Sequence, residues 1–224
     1  MITKTINLSR YTFESGGSPT NQGAERINSY YQELETSTHG NTTAKDLQEF
    51  INSANSNGGY YIGRYEASDS ITTSPRTSSA SKTNTMASKK YGFAYNYVTQ
   101  SQAAELCRNM YNSTSYTSDL VNSYAWDTAI VFIQSFEASN YADYDASNGG
   151  ELLKTGMSGD EQLNINDMAS NVREWTTESS VYMGYPNVCR GGDFNQYYRY
   201  TAYRDYSEIY LENERSGFRP LLYM

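Results

Sequence analysis

The stretch "CRGGDFNQYYRYTAYRDYSEIYLENERSGFRP", Cys189 to Pro220, sets tyrosines at 197, 198, 200, 203, 206 and 210 between an Arg-Gly-Gly and a Gly-Phe-Arg. Their spacing follows neither the alternation of a strand nor the stripe of a helix. Tyrosine offers a broad amphipathic ring with only two torsions to freeze, and its hydroxyl both donates and accepts. Mixed with Asn, Ser and Asp, it gives the composition of a binding loop, and Tyr is enriched among interface hot spots. The alternative reading is that several rings, such as Tyr200 and Tyr210, simply fill the core of an aliphatic-poor domain.

The rest of the chain narrows the classes. At 224 residues it is long enough for one domain with a real core. No apolar run approaches the roughly 18 residues that span a bilayer. The opening "MITKTINLSRYTFESGG" has no continuous apolar stretch, so no secretory signal is expected. A net charge of −8 argues against nucleic acid or an anionic membrane as partner. Cys107 and Cys189 lack the spacing of a metal or redox motif, and both are expected to be reduced and structural. The single histidine, His39, makes a zinc site improbable and removes the usual general base for a Ser or Cys nucleophile.

Along the chain, residues 1–57 read as an N-terminal extension with a lead-in helix, and 58–224 as the main domain. One short helix is expected around "AERINSYYQEL". A second lies in "TAKDLQEFINSANSNGG", capped at Thr43, with Leu47, Phe50 and Ile51 on one face and Gly58-Gly59 as the stop. "YYIGRYEAS" is rich in strand formers, and the Ser/Thr-rich residues 68–90 suggest a long mobile surface loop. Two domain helices follow. "TQSQAAELCRNMY" places Ala103, Leu106, Cys107 and Met110 on one stripe, and "SDLVNSYAWDTAIVFIQSF" is expected to start from a Ser118 cap. Asn-, Asp- and Gly-rich loops and short strands complete an α+β pattern of two helices, small antiparallel sheets and many loops.

Four motifs stand in order near the C-terminus: Asn171-Val172-Arg173-Glu174-Trp175, Arg190-Gly191-Gly192-Asp193-Phe194, Ala202-Tyr203-Arg204 and Gly217-Phe218-Arg219. Together with "YIGRYEAS" they make residues 58–222 resemble the formylglycine-generating-enzyme-like (sulfatase-modifying factor) domain, a variant of the C-type lectin fold. The enzymes of that family use a cysteine pair between the Arg-Gly-Gly and Gly-Phe-Arg segments, and 193–216 contains no cysteine. Hydroxyls do not replace soft thiolates as Cu(I) ligands. The resemblance is nearer to the variable proteins of diversity-generating retroelements, many carried by bacteria and their phages, in which Asn codons of a C-terminal segment are rewritten at adenines. Under that resemblance 190–220 is the variable segment. The ligand-binding positions are Asp193, Asn195, Tyr197, Tyr198, Tyr200, Tyr203, Asp205, Tyr206, Ser207, Tyr210 and Asn213. Gln196, Glu208, Glu212 and Glu214 do not follow from a mutated Asn codon.

The same resemblance implies that Arg190, Arg204 and Arg219 lie inside and that Trp126, Trp175 and Phe218 are core rings. Glu66 is expected to pair with an internal Arg or cap backbone amides. The family's calcium site maps onto Asp167, Ser170, Val172 and Glu174, a hard-oxygen set with a structural role; the alternative is that Asp167 and Glu174 pair with arginines and cap loop amides. The reading is a non-catalytic module for a protein or glycan ligand on a cell surface, displayed by a phage tail or a bacterium, with oligomerisation through residues 1–57. An enzyme with an unrecognised site and a structural phage or envelope component are the alternatives.

Overall fold

The structure, a computed structural model, describes residues 4–13, 19–21, 45–79, 83, 85–111, 115–146, 149–180, 184–195 and 199–224. Thr43, His39, Gln196, Tyr197, Tyr198 and the "AERINSYYQEL" segment lie outside them, together with the expectations placed there. The described chain is α+β, and none of its helices is long and apolar enough to cross a membrane.

Among the described residues three α-helices form where the sequence gives a cap and an apolar face. Helix α1 (Leu47–Asn57) starts at Asp46, whose side chain accepts from the Glu49 N–H, buries Leu47, Phe50 and Ala54, and stops at Gly58 with φ 76°. Helix α2 (Gln100–Arg108) carries a full capping box between Thr99 and Gln102 and turns Ala103, Ala104 and Cys107 inward. Helix α3 (Ser123–Phe136) is capped by the side chain of Asn122, and its first two turns are buried all round. The expected Ser118 cap is corrected here: Ser118 belongs to strand β6 (Thr117–Leu120), because the chain's C-terminal strand β13 (Pro220–Tyr223) pairs antiparallel along it.

Two sheets frame the interior. Strand β13 sits between β6 and β3 (Tyr61–Ile62). The larger sheet has the order β11 (Arg204–Ser207), β10 (Asn187–Arg190), β9 (Arg173–Ser179), β12 (Ser216–Phe218). Its pairs are antiparallel except β9 with β12, which is parallel. Only Arg219 separates β12 from β13, so the chain passes from one sheet to the other at a single residue. Trp126, Trp175 and Phe218 are fully buried. The Trp126 Nε1–H donates to the Thr201 carbonyl at 3.0 Å and the Trp175 Nε1–H to the Val98 carbonyl at 2.9 Å.

The described part of 68–90 is more tied down than its composition suggests. Strands β4 (Ala67–Asp69) and β5 (Met86–Ser88) pair antiparallel. Between them the buried Arg76 reaches Asp69 at 3.2 Å, donates to the Asn96 carbonyl at 3.0 Å and lies 4.3 Å over the Tyr95 ring. Nor does the core stop near residue 58. Leu47, Phe50 and Ala54 share one cluster with Tyr124, Ile130 and Tyr223, and Arg10 and Tyr11 are buried.

The Arg-Gly-Gly turn is a steric necessity. Gly191 has φ 78°, and a Cβ there would sit 2.2 Å from the Met168 carbonyl oxygen; one on Gly192 would sit 2.3 Å from that of Ala169. Residues 191–192 therefore press flat against 168–169 in a way no side chain allows. Gly191→Ala is expected to cost about 3 kcal/mol or more, read as a lower urea midpoint at an unchanged slope. An unchanged midpoint would mean that the close approach is not maintained in solution.

Candidate ligand-binding face

Beneath the Tyr-rich segment lies a buried ion network. Glu178 on β9 and Asp127 on α3 face Arg10, Arg190 on β10 and Arg204 on β11. Glu178 Oε1 accepts from Arg10 at 2.7 Å and from Arg204 at 2.8 Å, while Oε2 accepts from Arg190 at 3.3 Å. Asp127 Oδ1 takes Arg190 at 2.5 Å, and Oδ2 takes Arg204 at 2.7 Å and the Tyr11 N–H at 3.0 Å. Burial alone would raise the Glu178 carboxyl, but Arg204, Arg190 and Arg10 outweigh it and hold it at about 2. Burial, and then the like charge of Arg204, lower Arg190 from the usual guanidinium range, with Asp127 and Glu178 offsetting part of that.

The remaining donors of Arg190 grip the loop above. Its Nε donates to the Tyr203 carbonyl at 3.1 Å and its Nη2 to the Ala202 carbonyl at 3.3 Å. On the other side the Thr201 N–H reaches the Tyr144 carbonyl at 3.1 Å and the Ala202 N–H the Ala142 carbonyl at 3.0 Å. A loop without regular structure thus gains fixed backbone positions from buried guanidiniums and a neighbouring chain.

On that base the described tyrosines point outward. Tyr200, Tyr203 and Tyr206 are 37%, 38% and 41% exposed and Tyr210 is 83% exposed, so Tyr200 and Tyr210 do not fill the core. Arg199 lies 4.9 Å over the Tyr203 ring and 2.6 Å from Asp205 Oδ2. Asn195 is exposed and Asn213 half-buried. Asp205 is mostly enclosed, paired with Arg173 as well as Arg199. Two expected surface positions are internal. Asp193 is fully buried, accepting the Asn195 N–H at 3.0 Å, and Ser207 points to the covered side of β11 opposite Asn187. Their small polar side chains match the expected menu in composition, but turn geometry and strand alternation carry them inward.

Neither thiol opens onto this face, although Cys189 on β10 lies directly opposite Asp205 in the strand register. Cys107 and Cys189 are fully buried, and burial pushes the Cys189 thiol up to about 12 and that of Cys107 well above its ordinary value. A thiol so raised is a poor nucleophile.

A second buried cluster surrounds Arg219. Glu174 gives both carboxylate oxygens to it, at 2.6 to 3.1 Å, and the same guanidinium donates to the carbonyls of Gly63 and Asn166 at 2.7 Å each. Asp167 accepts from the Gly156 N–H and, at 2.5 Å, from the Ser158 hydroxyl. Glu66 caps the Val172 N–H at 2.9 Å and the Asn171 side chain at 2.6 Å. Burial, with the charges of Asp167 and Glu174, pushes the Glu66 carboxyl well up. The residues expected to hold calcium are Asp167, Ser170, Val172 and Glu174. In this arrangement they do not fit the ion, because a guanidinium takes Glu174 and loop donors take Asp167. Among the described residues no group of three or more His, Cys, Asp or Glu side chains is placed to hold a metal.

No family model matches the chain, and no curated protein matches it. Among solved structures it is similar to Treponema denticola variable protein 1, at 16% identity over 74% of this chain and 84% of that one, with a TM-score of 0.48. It is also similar to the crystal structure of CarF, at 16% identity over 57% of this chain and 66% of that one, with a TM-score of 0.43.

Two outcomes follow from the buried clusters. Glu178→Gln leaves three guanidiniums facing one carboxylate and is expected to cost about 3–5 kcal/mol in urea unfolding; a loss below about 1 kcal/mol would show the network to be hydrated. Millimolar calcium is expected to leave the melting temperature where EDTA leaves it. A calcium-dependent rise would mean that Glu174 exchanges Arg219 for the ion.

Proposed function

We propose that this chain is a non-catalytic ligand-binding protein of the C-type-lectin-like kind, with its binding face on the Tyr-rich segment between Arg190 and Arg219. The observation that carries the reading is the pairing of opposites in one short segment. Tyr200, Tyr203, Tyr206 and Tyr210 stand open to solvent, while the backbone at Ala202 and Tyr203 is fastened to Arg190. Solvated aromatic rings contribute little to stability, whereas rings held in place lose little further freedom when a partner covers them. The four sequence motifs and their internal arginines support kinship with the variable proteins of retroelements, in which such a face is rewritten. A protein or glycan on a cell surface is the ligand class that such an aromatic face suits, and display from a phage tail or a bacterial surface is the setting the resemblance suggests. An oxidase on this scaffold has no support from the two thiols, both buried and held protonated.

Changing Tyr200, Tyr203, Tyr206 and Tyr210 together to Ser is expected to leave the melting temperature within about 5 °C. A library randomised at those four positions is expected to yield folded binders to unrelated proteins such as streptavidin and serum albumin. Collapse of the Ser variant would place the rings in the structural core and end this reading. For diversification, the telling observation is the adjacent DNA: a near-copy of the codons for 190–220 differing at adenines, beside a reverse transcriptase gene.

A further inference from the structure

The two arginines under the face use different oxygens of the buried carboxylates. Arg190 takes Asp127 Oδ1 at 2.5 Å and Glu178 Oε2 at 3.3 Å. Arg204 takes the other two, Glu178 Oε1 at 2.8 Å and Asp127 Oδ2 at 2.7 Å. Residues 10 and 11 meet Arg204 at those same atoms. Arg10 donates to Glu178 Oε1 at 2.7 Å and the Tyr11 N–H to Asp127 Oδ2 at 3.0 Å, while the Tyr11 carbonyl accepts from Arg204 itself at 3.3 Å. Each of these contacts of Arg204 is therefore shared with, or made to, residue 10 or 11.

The N-terminal segment is itself seated on α3. Ser9, Arg10 and Tyr11 are buried, and the Thr128 hydroxyl holds both main-chain groups of Ser9, accepting its N–H at 3.1 Å and donating to its carbonyl at 3.2 Å. Strand β11 needs such support, because it is the outermost strand of its sheet and has β10 on one side only. Arg190 fastens the loop before the strand, at Ala202 and Tyr203, and Arg204 fastens the strand. Alternation places Tyr206 on the same face of β11 as Arg204, and Tyr203 directly precedes that arginine.

We propose that Arg10 and Tyr11 are positioning residues of the binding face: their seating on α3 fixes Arg204, and through it the strand that carries Tyr206. This rests on the binding reading above and adds what sets the geometry of that face. The face then has two separately held parts. The loop at Ala202 and Tyr203 is held by Arg190, whereas β11 is held through the N-terminal segment. A partner that covers Tyr203 and Tyr206 together needs both parts in register, and a loosened β11 adds an ordering cost to binding. Unseating residues 9–11 therefore weakens binding while the rest of the fold stays intact.

The first test needs no ligand. In the full chain, Arg10→Gln leaves Arg190 and Arg204 against Asp127 and Glu178, so the interior keeps its charge balance and the variant is expected to fold. Amide hydrogen exchange is expected to quicken about tenfold across Arg204–Ser207. The Thr201 and Ala202 amides, bonded to Tyr144 and Ala142, are expected to change only as far as the urea midpoint falls. Arg10→Lys, which keeps one donor for Glu178, is expected to restore the protection. Thr128→Val removes the hydroxyl that holds Ser9 without touching a charge; it is expected to give the same pattern, and it decides the matter if Arg10→Gln does not fold. Unchanged exchange in β11, or a loss spread evenly over the chain, overturns the proposal and leaves the binding reading standing. The second test uses clones selected against streptavidin from the library randomised at Tyr200, Tyr203, Tyr206 and Tyr210. Arg10→Gln is expected to weaken them by about tenfold, through faster dissociation, at a temperature where they stay folded. If β11 loosens but those affinities hold, residues 9–11 support the strand and not the face, and the proposal fails alone. If no clone binds, the binding reading falls and the positioning role falls with it.

Discussion

Three guanidiniums and two buried carboxylates hold this molecule's irregular C-terminal segment in place. Arg10, Arg190 and Arg204 meet Asp127 and Glu178, all but the partly exposed Arg204 with almost no water access, and each carboxylate oxygen has at least one nitrogen within 3.3 Å. Ion pairs of this kind are rarely net stabilisers, since stripping water from the charges costs about as much as their attraction returns. What they supply is direction. A guanidinium presents donors at fixed angles, so Arg190 can satisfy two acids and still hold the Tyr203 and Ala202 carbonyls. An apolar core of equal volume would bury area but would not set the position of a loop backbone.

The network also explains why chain segments far apart in sequence act as one frame. Arg10 enters it from the N-terminal segment, Asp127 from α3 and the rest from three neighbouring strands. Arg219 plays the matching part at the opposite side. It sits at the one-residue step between β12 and β13, and its donors reach Glu174, Gly63 and Asn166, which belong to different elements. Burial opposes the charge on Arg219, but Glu174, Glu66 and Asp167 outweigh it and push its titration up. Either arginine exchanged for Lys would keep a charge and lose the fork that spans several acceptors.

Much of this was written in the sequence in a form that local chemistry makes readable. The Arg-Gly-Gly and Gly-Phe-Arg motifs pointed to internal arginines through the family resemblance they carry, and α2 announced itself by its apolar stripe. What could not be read were contacts made across long separations. Nothing local marks Arg10 as buried, since its partner Glu178 is 168 residues away. Arg76 sits in a Ser/Thr-rich run whose composition signals solvent, yet one cation over Tyr95 anchors it. Ser118 resembled a helix cap until the C-terminal strand claimed its backbone. Asp193 and Ser207 differ from Asn195 in burial and not in residue type, so composition alone placed all three outside.

A binding face of the proposed kind has to separate what it shows from what it stands on. Here the separation is physical. The side chains of Tyr200 and Tyr203 extend into solvent, while the backbone atoms beside them bond inward to Arg190, Ala142 and Tyr144. Because the fastening acts on main-chain carbonyls and amides, it does not depend on which side chain each position carries. A ring replaced by Ser or Asn loses contact area with a partner, but no bond of the frame is removed. The exceptions follow the same logic. Asp205 and Ser207 are within the segment, yet their side chains pack against Arg173 or beneath the strand, so replacing them alters the frame itself. Substitutions at the exposed tyrosines and Asn195 are therefore expected to spare the fold, and those at the buried members of the segment to disturb it.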